Sequence, residues 1–548
     1  MRKRILSLAL CAAMTMAALT GCGSKAEETT AVQTAAESGA AAEKETAAEG
    51  TTKETTAAAQ IAPQAEETNL IIPSASCVAN LNPLLEGYKE GVIMLNPLYD
   101  PLYVIDVDET RYYLAESYEV SGDGTVVTLK LKNGLKWHDG EAITADDVIF
   151  TMEVNADTNN GAGSTNVVIL NDEPVKFEKV DDLTVKITLP MASASYTDLL
   201  GSLNLIPEHV FEGNTNIVGA AANLAGIGSG PYKLSEFKQD QYLVLEKNED
   251  YYMGAPAIDK ITFRIISDVA AQEVALMNGE VNFMELSNAQ AVSKYAADSN
   301  YNVVEYPEGR VNYLAVNKFC DTFQDPKVVE AVFAALNREE IIAGAYGEGM
   351  AVPANTIFSN VNTFYDDSIE GYTQDVEKAK ELVKEAGLEG KTLTLYFNSE
   401  RVYMKESAQI IQQQLKNVGI TLDVIPLESA GFFEKVFGTD GDYEFYLNGY
   451  GAVGDPDKVV AGMFDGTWGV NLAVSDELAQ LWKDARSVFT EEERAAIYKQ
   501  VQIKTREEMT CYPIAYPNYV FVTTANIKGA DEIKRTPIFE DYTKLVME

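Results

Sequence analysis

The chain has 548 residues, 46% of them hydrophobic and 9% aromatic, and carries a formal net charge of −40. That length exceeds one ordinary domain and allows about three lobes, while the charge repels phosphate backbones and anionic headgroups and excludes nucleic acid as a partner. Only two histidines are present, His138 and His209, and there is no Gly-x-Ser-x-Gly or Cys-x-x-Cys motif; no metal site, no cofactor and no enzyme activity are expected from such a set.

The first residues are a targeting segment. Arg2, Lys3 and Arg4 precede an apolar run from Ile5 to Ala18, closed by Leu19-Thr20-Gly21-Cys22. A basic start, an apolar middle and small residues at the end read as a secretory signal over residues 1–21, too short for the about 20 apolar residues of a membrane span. The ending resembles the bacterial lipobox, which implies cleavage before Cys22 and lipidation of its thiol. From 22 to 68 the sequence is mostly Ala, Thr, Glu, Gly and Ser, with Ile61 as its one large aliphatic residue. Such a stretch cannot bury enough apolar surface to offset its ordering entropy. It is read as a disordered tether holding a folded body at the outer face of the membrane. Cys11 leaves with the signal. Cys77, Cys320 and Cys511 are too few and too scattered for a disulfide framework, although one pair stays open.

Past the tether, strands and helices mix. Val126–Leu131, between Gly122-Asp123-Gly124 and Asn133-Gly134, reads as a strand, as do 185–189, 242–246 and 261–266. Asp325-Pro326 opens a helix over 327–335, with proline at the first helical position. Further helices are predicted over 375–386 (ended by Gly387), 405–418 (ended by Gly419) and 491–509, with strands at 421–425 and 443–448. There is no internal repeat, and the class is α/β.

Several short blocks, taken together, carry a resemblance. They are Lys136-Trp137-His138-Asp139-Gly140 with Ala145-Asp146-Asp147-Val148, Gly228-Ser229-Gly230-Pro231-Tyr232, Asn248-Glu249-Asp250-Tyr251-Tyr252, Ala315-Val316-Asn317, Ala335-Leu336-Asn337-Arg338, Glu385-Ala386-Gly387 and Gly454-Asp455-Pro456-Asp457. In this order they resemble family 5 of the bacterial extracellular solute-binding proteins, the oligopeptide-, dipeptide- and nickel-binding receptors of ATP-binding-cassette importers. The resemblance implies a two-lobed periplasmic-binding-protein-like fold of type II, in its large three-subdomain form, closing about a hinge. It places a core subdomain of lobe I at 69–90, 219–305 and 507–548, an inserted subdomain at 91–218 and lobe II at 306–506. It implies a monomer that delivers a peptide or similar small solute to membrane permease subunits. A receptor for a metal chelate or an oligosaccharide is the alternative on the same fold; a secreted hydrolase or an adhesin fits less well. His138 beside Asp139 is read as a structural corner and not as a base with its orienter.

The ligand is expected at the loop after the strand 443–448. Gly449-Tyr450-Gly451-Ala452-Val453-Gly454 is a literal G-x-G-x-x-G, but it stands late in the chain and Asp455 and Asp457 follow it, which opposes a pyrophosphate. The resemblance gives Tyr450 the role of an aromatic packing on ligand, and adds Asn448 and Asp455. Peptide-binding relatives carry here an aspartate for the ligand's amine, and counting back from Asp455-Pro456 that place is Ala452. Either Asp455 substitutes, or the ligand lacks a free amine. Arg310 and Arg401, near strand ends, are candidates for an anionic group; Asn398, Trp468 and Asn471 complete the expected set. Asp440-Gly441-Asp442-Tyr443-Glu444 has acids in a row, but its spacing suits a polar turn better than a calcium loop.

Overall fold

The computed structural model describes residues 67–86, 89–105, 109–170, 173–451, 453–464, 472–536 and 539–548. The signal, the predicted tether as far as residue 66, Cys22, Ala452, Trp468 and Asn471 lie outside the described residues; Thr68, the last residue predicted for the tether, is described, and its N–H donates to Asp259 Oδ2 (2.9 Å).

A first sheet has four strands in the order Asn69–Ser74, Lys260–Ile265, Tyr242–Lys247, Tyr232–Lys238. The first two run parallel, with Leu70 opposite Ile261 and Ile72 opposite Phe263. Alternation along each strand sends Leu70, Ile72, Leu243, Leu245, Ile261 and Phe263 into one core. Ile527, Ile533, Tyr542 and Leu545 join that core, so the end of the chain returns to the body that holds its beginning.

A second, all-antiparallel sheet is ordered Ala115–Val120, Val126–Leu131, Thr184–Thr188, Lys176–Asp181. The helix Ala145–Ala156 packs on it and begins with a capping box, in which Thr144 and Asp147 satisfy each other's backbone N–H groups. Met94, Leu98 and Tyr99 belong to the first core, while Leu102 and Tyr103 belong to the second. The chain thus changes core between Tyr99 and Leu102, and the helix Lys89–Leu95 spends its apolar face on the first sheet.

The third sheet has eight strands. Its main path is Phe283–Glu285, Cys511–Thr524, Arg310–Val316, Phe445–Gly451, Thr392–Asn398, Thr421–Leu427. Its far half is parallel and covered on both faces. Helices Pro326–Ala335, Val376–Glu385 and Val402–Asn417 bury Val332, Leu382 and Ile411 on one side; helices Asp476–Ser487 and Glu491–Glu507 bury Trp482 and Tyr498 on the other. Asp325 caps the first of these helices through Lys327 N (3.0 Å), with Pro326 at its first position.

The 14-residue strand Cys511–Thr524 joins the bodies. Its first half pairs with Arg310–Val316, its second half with Tyr301–Pro307. The chain thus passes between the first and third bodies at 307–310 and again at 516–518. Before that second passage, 511–515 pairs within the large sheet.

Candidate functional site

The carboxyl ends of the parallel strands Thr392–Asn398 and Phe445–Gly451 point to one edge of the large sheet, where the antiparallel strand Arg310–Val316 starts; Arg310 stands opposite Gly451. Open α/β sheets bind ligands outside such ends. The structure brings Arg310, Asn398, Arg401 and Asn448 to this edge.

Arg310 is built in. Its Nε donates to Asn312 Oδ1 (3.0 Å) and its Nη2 to the Gly449 carbonyl (2.9 Å). Asn312 Nδ2 donates in turn to the Tyr346 hydroxyl (2.9 Å), and Tyr346 stacks on Tyr403 with ring centroids 5.3 Å apart. Burial works against the Arg310 charge, and Tyr403, Glu308 and Tyr346 around it more than restore it. Gly449 is required here: a Cβ on it would lie 2.0 Å from Asn312 Oδ1 and 2.8 Å from Arg310 Nε. That glycine makes room for a polar cluster of the protein itself.

Asn398 is buried at its strand end, and its Oδ1 accepts from Glu400 N (3.0 Å). Arg401 follows at the N-cap of Val402–Asn417, exposed, with no side-chain bond to the helix terminus. A guanidinium beside uncapped helix N–H groups is a place for a carboxylate.

Tyr450 and Asn448 point to the opposite face from Arg310, as strand alternation demands. The strand runs on to Gly451, beyond the predicted 448, because Arg310 and Val311 continue the pairing. The structure places Tyr450 in the core, where its hydroxyl donates to the Ile357 carbonyl (2.6 Å) and its ring meets Tyr313 at 5.3 Å. Asn448 is half-buried opposite Tyr313.

Asp455 is fully engaged. It caps the short helix Pro456–Val459 through Asp457 N (3.0 Å), and both its oxygens accept from Arg494, Nη2 lying 2.9 Å from Oδ1. Arg494 is 6% exposed and lies between the rings of Phe364 and Tyr498, at 5.0 and 5.2 Å. The charge of Asp455, one of two alternatives for a ligand's amine partner, serves a buried guanidinium in this structure. Asp457 shares this corner; burial pushes its carboxyl up to about 6, against the pull of Arg486 at 2.9 Å.

Sequence reasoning missed Asp198. Its Oδ2 accepts the Asp455 N–H at 2.7 Å, from a helix (Tyr196–Gly201) in the second body. Gly454 has φ +74°, and a Cβ there would lie 2.6 Å from the same oxygen. Local patterning carries no signal for a contact 257 residues apart. With Asp198 and Asp455 at its end, the glycine loop presents acid where a dinucleotide would need bare N–H groups.

Among the described residues, no group of three or more His, Cys, Asp or Glu side chains is arranged to hold a metal. Asp440 and Asp442 both pair with Lys435 at 2.9 Å, the polar turn that the spacing suggested. His138 is a corner: Nε2 lies 3.0 Å from the Gly230 carbonyl, Nδ1 accepts from Gly228 N at 3.1 Å, and burial holds the ring neutral with a pKa of about 4. Cys77, Cys320 and Cys511 are free.

Two bodies joined by paired crossing strands, with a polar edge at the carboxyl ends of parallel strands, define a two-lobed solute-binding protein. The chain belongs to the bacterial extracellular solute-binding proteins, family 5, whose sequence profile matches residues 109–471. The oligopeptide-binding protein AppA of Bacillus subtilis is 27% identical over 84% of this chain and 88% of its own. Its structure with a nonapeptide superposes with a TM-score of 0.73 at 25% identity, covering 88% of this chain and 99% of that one. The dipeptide-binding protein of Escherichia coli is 28% identical over 79% of this chain and 86% of its own. The substrate-binding protein CtaP of Listeria monocytogenes superposes with a TM-score of 0.83 at 34% identity, covering 88% of this chain and 99% of that one. The chain is thus a substrate-binding receptor of the class that serves peptide importers, and among its described residues no helix is long and apolar enough to cross a membrane.

Proposed function

We propose that this chain is a lipid-anchored receptor at the outer face of the cell membrane that captures peptides between two closing lobes and hands them to an ATP-driven permease as a monomer. The observation that carries the ligand class is Arg401, exposed at an uncapped helix N-terminus beside Asn398 and the Arg310 cluster. Such an end receives a peptide's carboxylate. The names of relatives support the same class, since AppA is an oligopeptide-binding protein and the Escherichia coli protein a dipeptide-binding one. The lobes are read as the first and second bodies on one side and 310–515 on the other, with the hinge at 307–310 and 516–518. The anchor rests on Leu19-Thr20-Gly21-Cys22.

A second reading is favoured by one observation. Asp455 is engaged by Arg494, and the place of the relatives' amine-binding acid reads Ala452. A solute without a free amine, such as a blocked peptide, a metal chelate or an oligosaccharide, needs no such acid. Isothermal titration with free, amino-acetylated and carboxy-amidated forms of one peptide separates the readings. Binding lost on amidation and on Arg401→Ala supports capture of a peptide carboxylate; binding of none of the three forms contradicts the peptide reading.

A further inference from the structure

The second and third bodies meet at another place besides the Asp198–Asp455 contact. In the second body the strands Ala115–Val120 and Val126–Leu131 are joined by the turn 121–125, where Gly124 has φ +68°. The turn is fixed from within. Gly124 N donates to the Ser121 carbonyl (2.8 Å), the hydroxyls of Ser121 and Thr125 donate to Asp123 Oδ1 (2.6 and 2.9 Å), and Val126 N donates to Ser121 Oγ (2.9 Å). Gly122 and Asp123 are exposed, yet Gly124 is buried. What covers it is Phe489 of the third body. A Cβ built on Gly124 would lie 3.0 Å from Cε2 of that ring and closer still to Cζ and Cε1, so the bare Cα is what lets the ring tip seat.

Phe489 is held out for this contact. It stands between the helices Asp476–Ser487 and Glu491–Glu507, one residue before Thr490, whose hydroxyl caps the second helix by accepting from Glu493 N (3.2 Å). Arg494 closes the base of this connection, its Nε donating to the Ala485 carbonyl (3.3 Å), and the same guanidinium grips Asp455. The Phe489 connection and the Asp455 loop are therefore one piece, and both reach the second body. The ring is still 43% exposed. Its contact with Gly124 carries no hydrogen bond and no ion pair, so it parts without stranding a buried polar group.

We infer that Phe489 on Gly124 is a latch: a seat present only while the lobes are closed, which biases the free receptor towards that state and releases it without a polar penalty. This rests on the lobes and hinge proposed above and not on the nature of the solute. A contact confined to the closed form raises the closed fraction of the free protein, and with it the apparent affinity for any solute that needs that form.

Electron–electron double resonance between two spin labels reads the latch without a solute. The labels go on Val180→Cys in the second body and Lys483→Cys in the third, both exposed, in the full chain carrying Cys11→Ser, Cys22→Ser and Cys77→Ser; Cys320 and Cys511 are buried. This parent should show a short and a long distance. Phe489→Ala should lower the ratio of short to long about three- to tenfold, the effect of exposing a half-buried phenyl group. Gly124→Ala should lower it at least as far, because the added methyl takes the place of the ring, and in the Phe489→Ala protein it should lower it no further. Gly134→Ala controls for backbone strain: that turn glycine of the same body has φ +80° and open space around it, so alanine there should lower the melting temperature and leave the ratio unaltered. Phe489→Leu, which keeps an apolar side chain, should retain part of the ratio, and it decides the matter should Gly124→Ala lose its cooperative melt. One short distance in the parent overturns latch and hinge together. One long distance in the parent, or a ratio that ignores Phe489→Ala, overturns the latch and leaves the hinge standing.

Discussion

Asp198 and Asp455 meet across the two bodies, the carboxylate of the first accepting the backbone N–H of the second at 2.7 Å. The partner is the residue whose own side chain holds Arg494. One loop is thereby held from both sides, by a carboxylate from the second body and a guanidinium from the third.

This contact predicts a closure effect. Bonds to charged groups contribute about 1.5–3 kcal/mol, so Asp198→Ala should open the free protein and weaken solute binding roughly tenfold or more. Small-angle scattering should show a larger radius of gyration for the variant without solute. An unchanged radius with unchanged affinity would show that the contact follows closure without sustaining it.

Asp455→Ala should act on stability first. It strands a buried guanidinium, and breaking such a pair costs about 3–5 kcal/mol. Adding Arg494→Met should recover much of the loss, which a double-mutant cycle in urea measures. A loss below 1 kcal/mol, on the scale of about 0–1 kcal/mol for exposed pairs, would mean that the pair is solvated.

Gly449→Ala should displace Asn312 and Arg310, since the added Cβ falls 2.0 Å from Asn312 Oδ1. Overpacking of this kind costs about 1–3 kcal/mol. Asn312→Ala in the same chain should return part of the melting temperature. No recovery would place the strain elsewhere.

Two buried groups give opposite pH dependences. His138 has its pKa lowered from 6.5 to about 4 by burial, so it stabilises the fold above pH 6.5 and that stability is lost as pH falls towards 4. The loss is about 3 kcal/mol at 1.36 kcal/mol per unit. Asp457 has its pKa raised from 3.8 to about 6, so its contribution is full below 3.8 and is lost as pH rises through 6. Urea melts at pH 4.5 and 7 should show a smaller acid loss for His138→Gln than for the parent, and a larger one for Asp457→Asn. The reverse order would contradict these burials.

Much of the fold was legible locally. The helix predicted over 375–386 is Val376–Glu385, because Asp375 caps it and Gly387, at φ +64°, ends it. The strands 126–131 and 242–246 appear within a residue of their predicted ends, because turn residues bracket alternating apolar positions. The site was legible only in part. Arg310, Asn398 and Arg401 stand at the sheet edge because strand ends are local features. The facing of Tyr450 was not, because it depends on which strand pairs with 445–451. Nor was the Asp455–Arg494 pair, which joins a loop to a helix 39 residues on.

For the anchor, Cys22→Ala should move the protein from the membrane fraction to the medium. An unchanged membrane fraction on immunoblotting would remove the lipid from the account.

If this receptor holds peptides, mass spectrometry of the small molecules released by denaturing protein purified from its native membrane should find short peptides with free carboxylates, depleted from the Arg401→Ala protein. Recovery of a chelate, a sugar or another non-peptide solute in stoichiometric amount would contradict it.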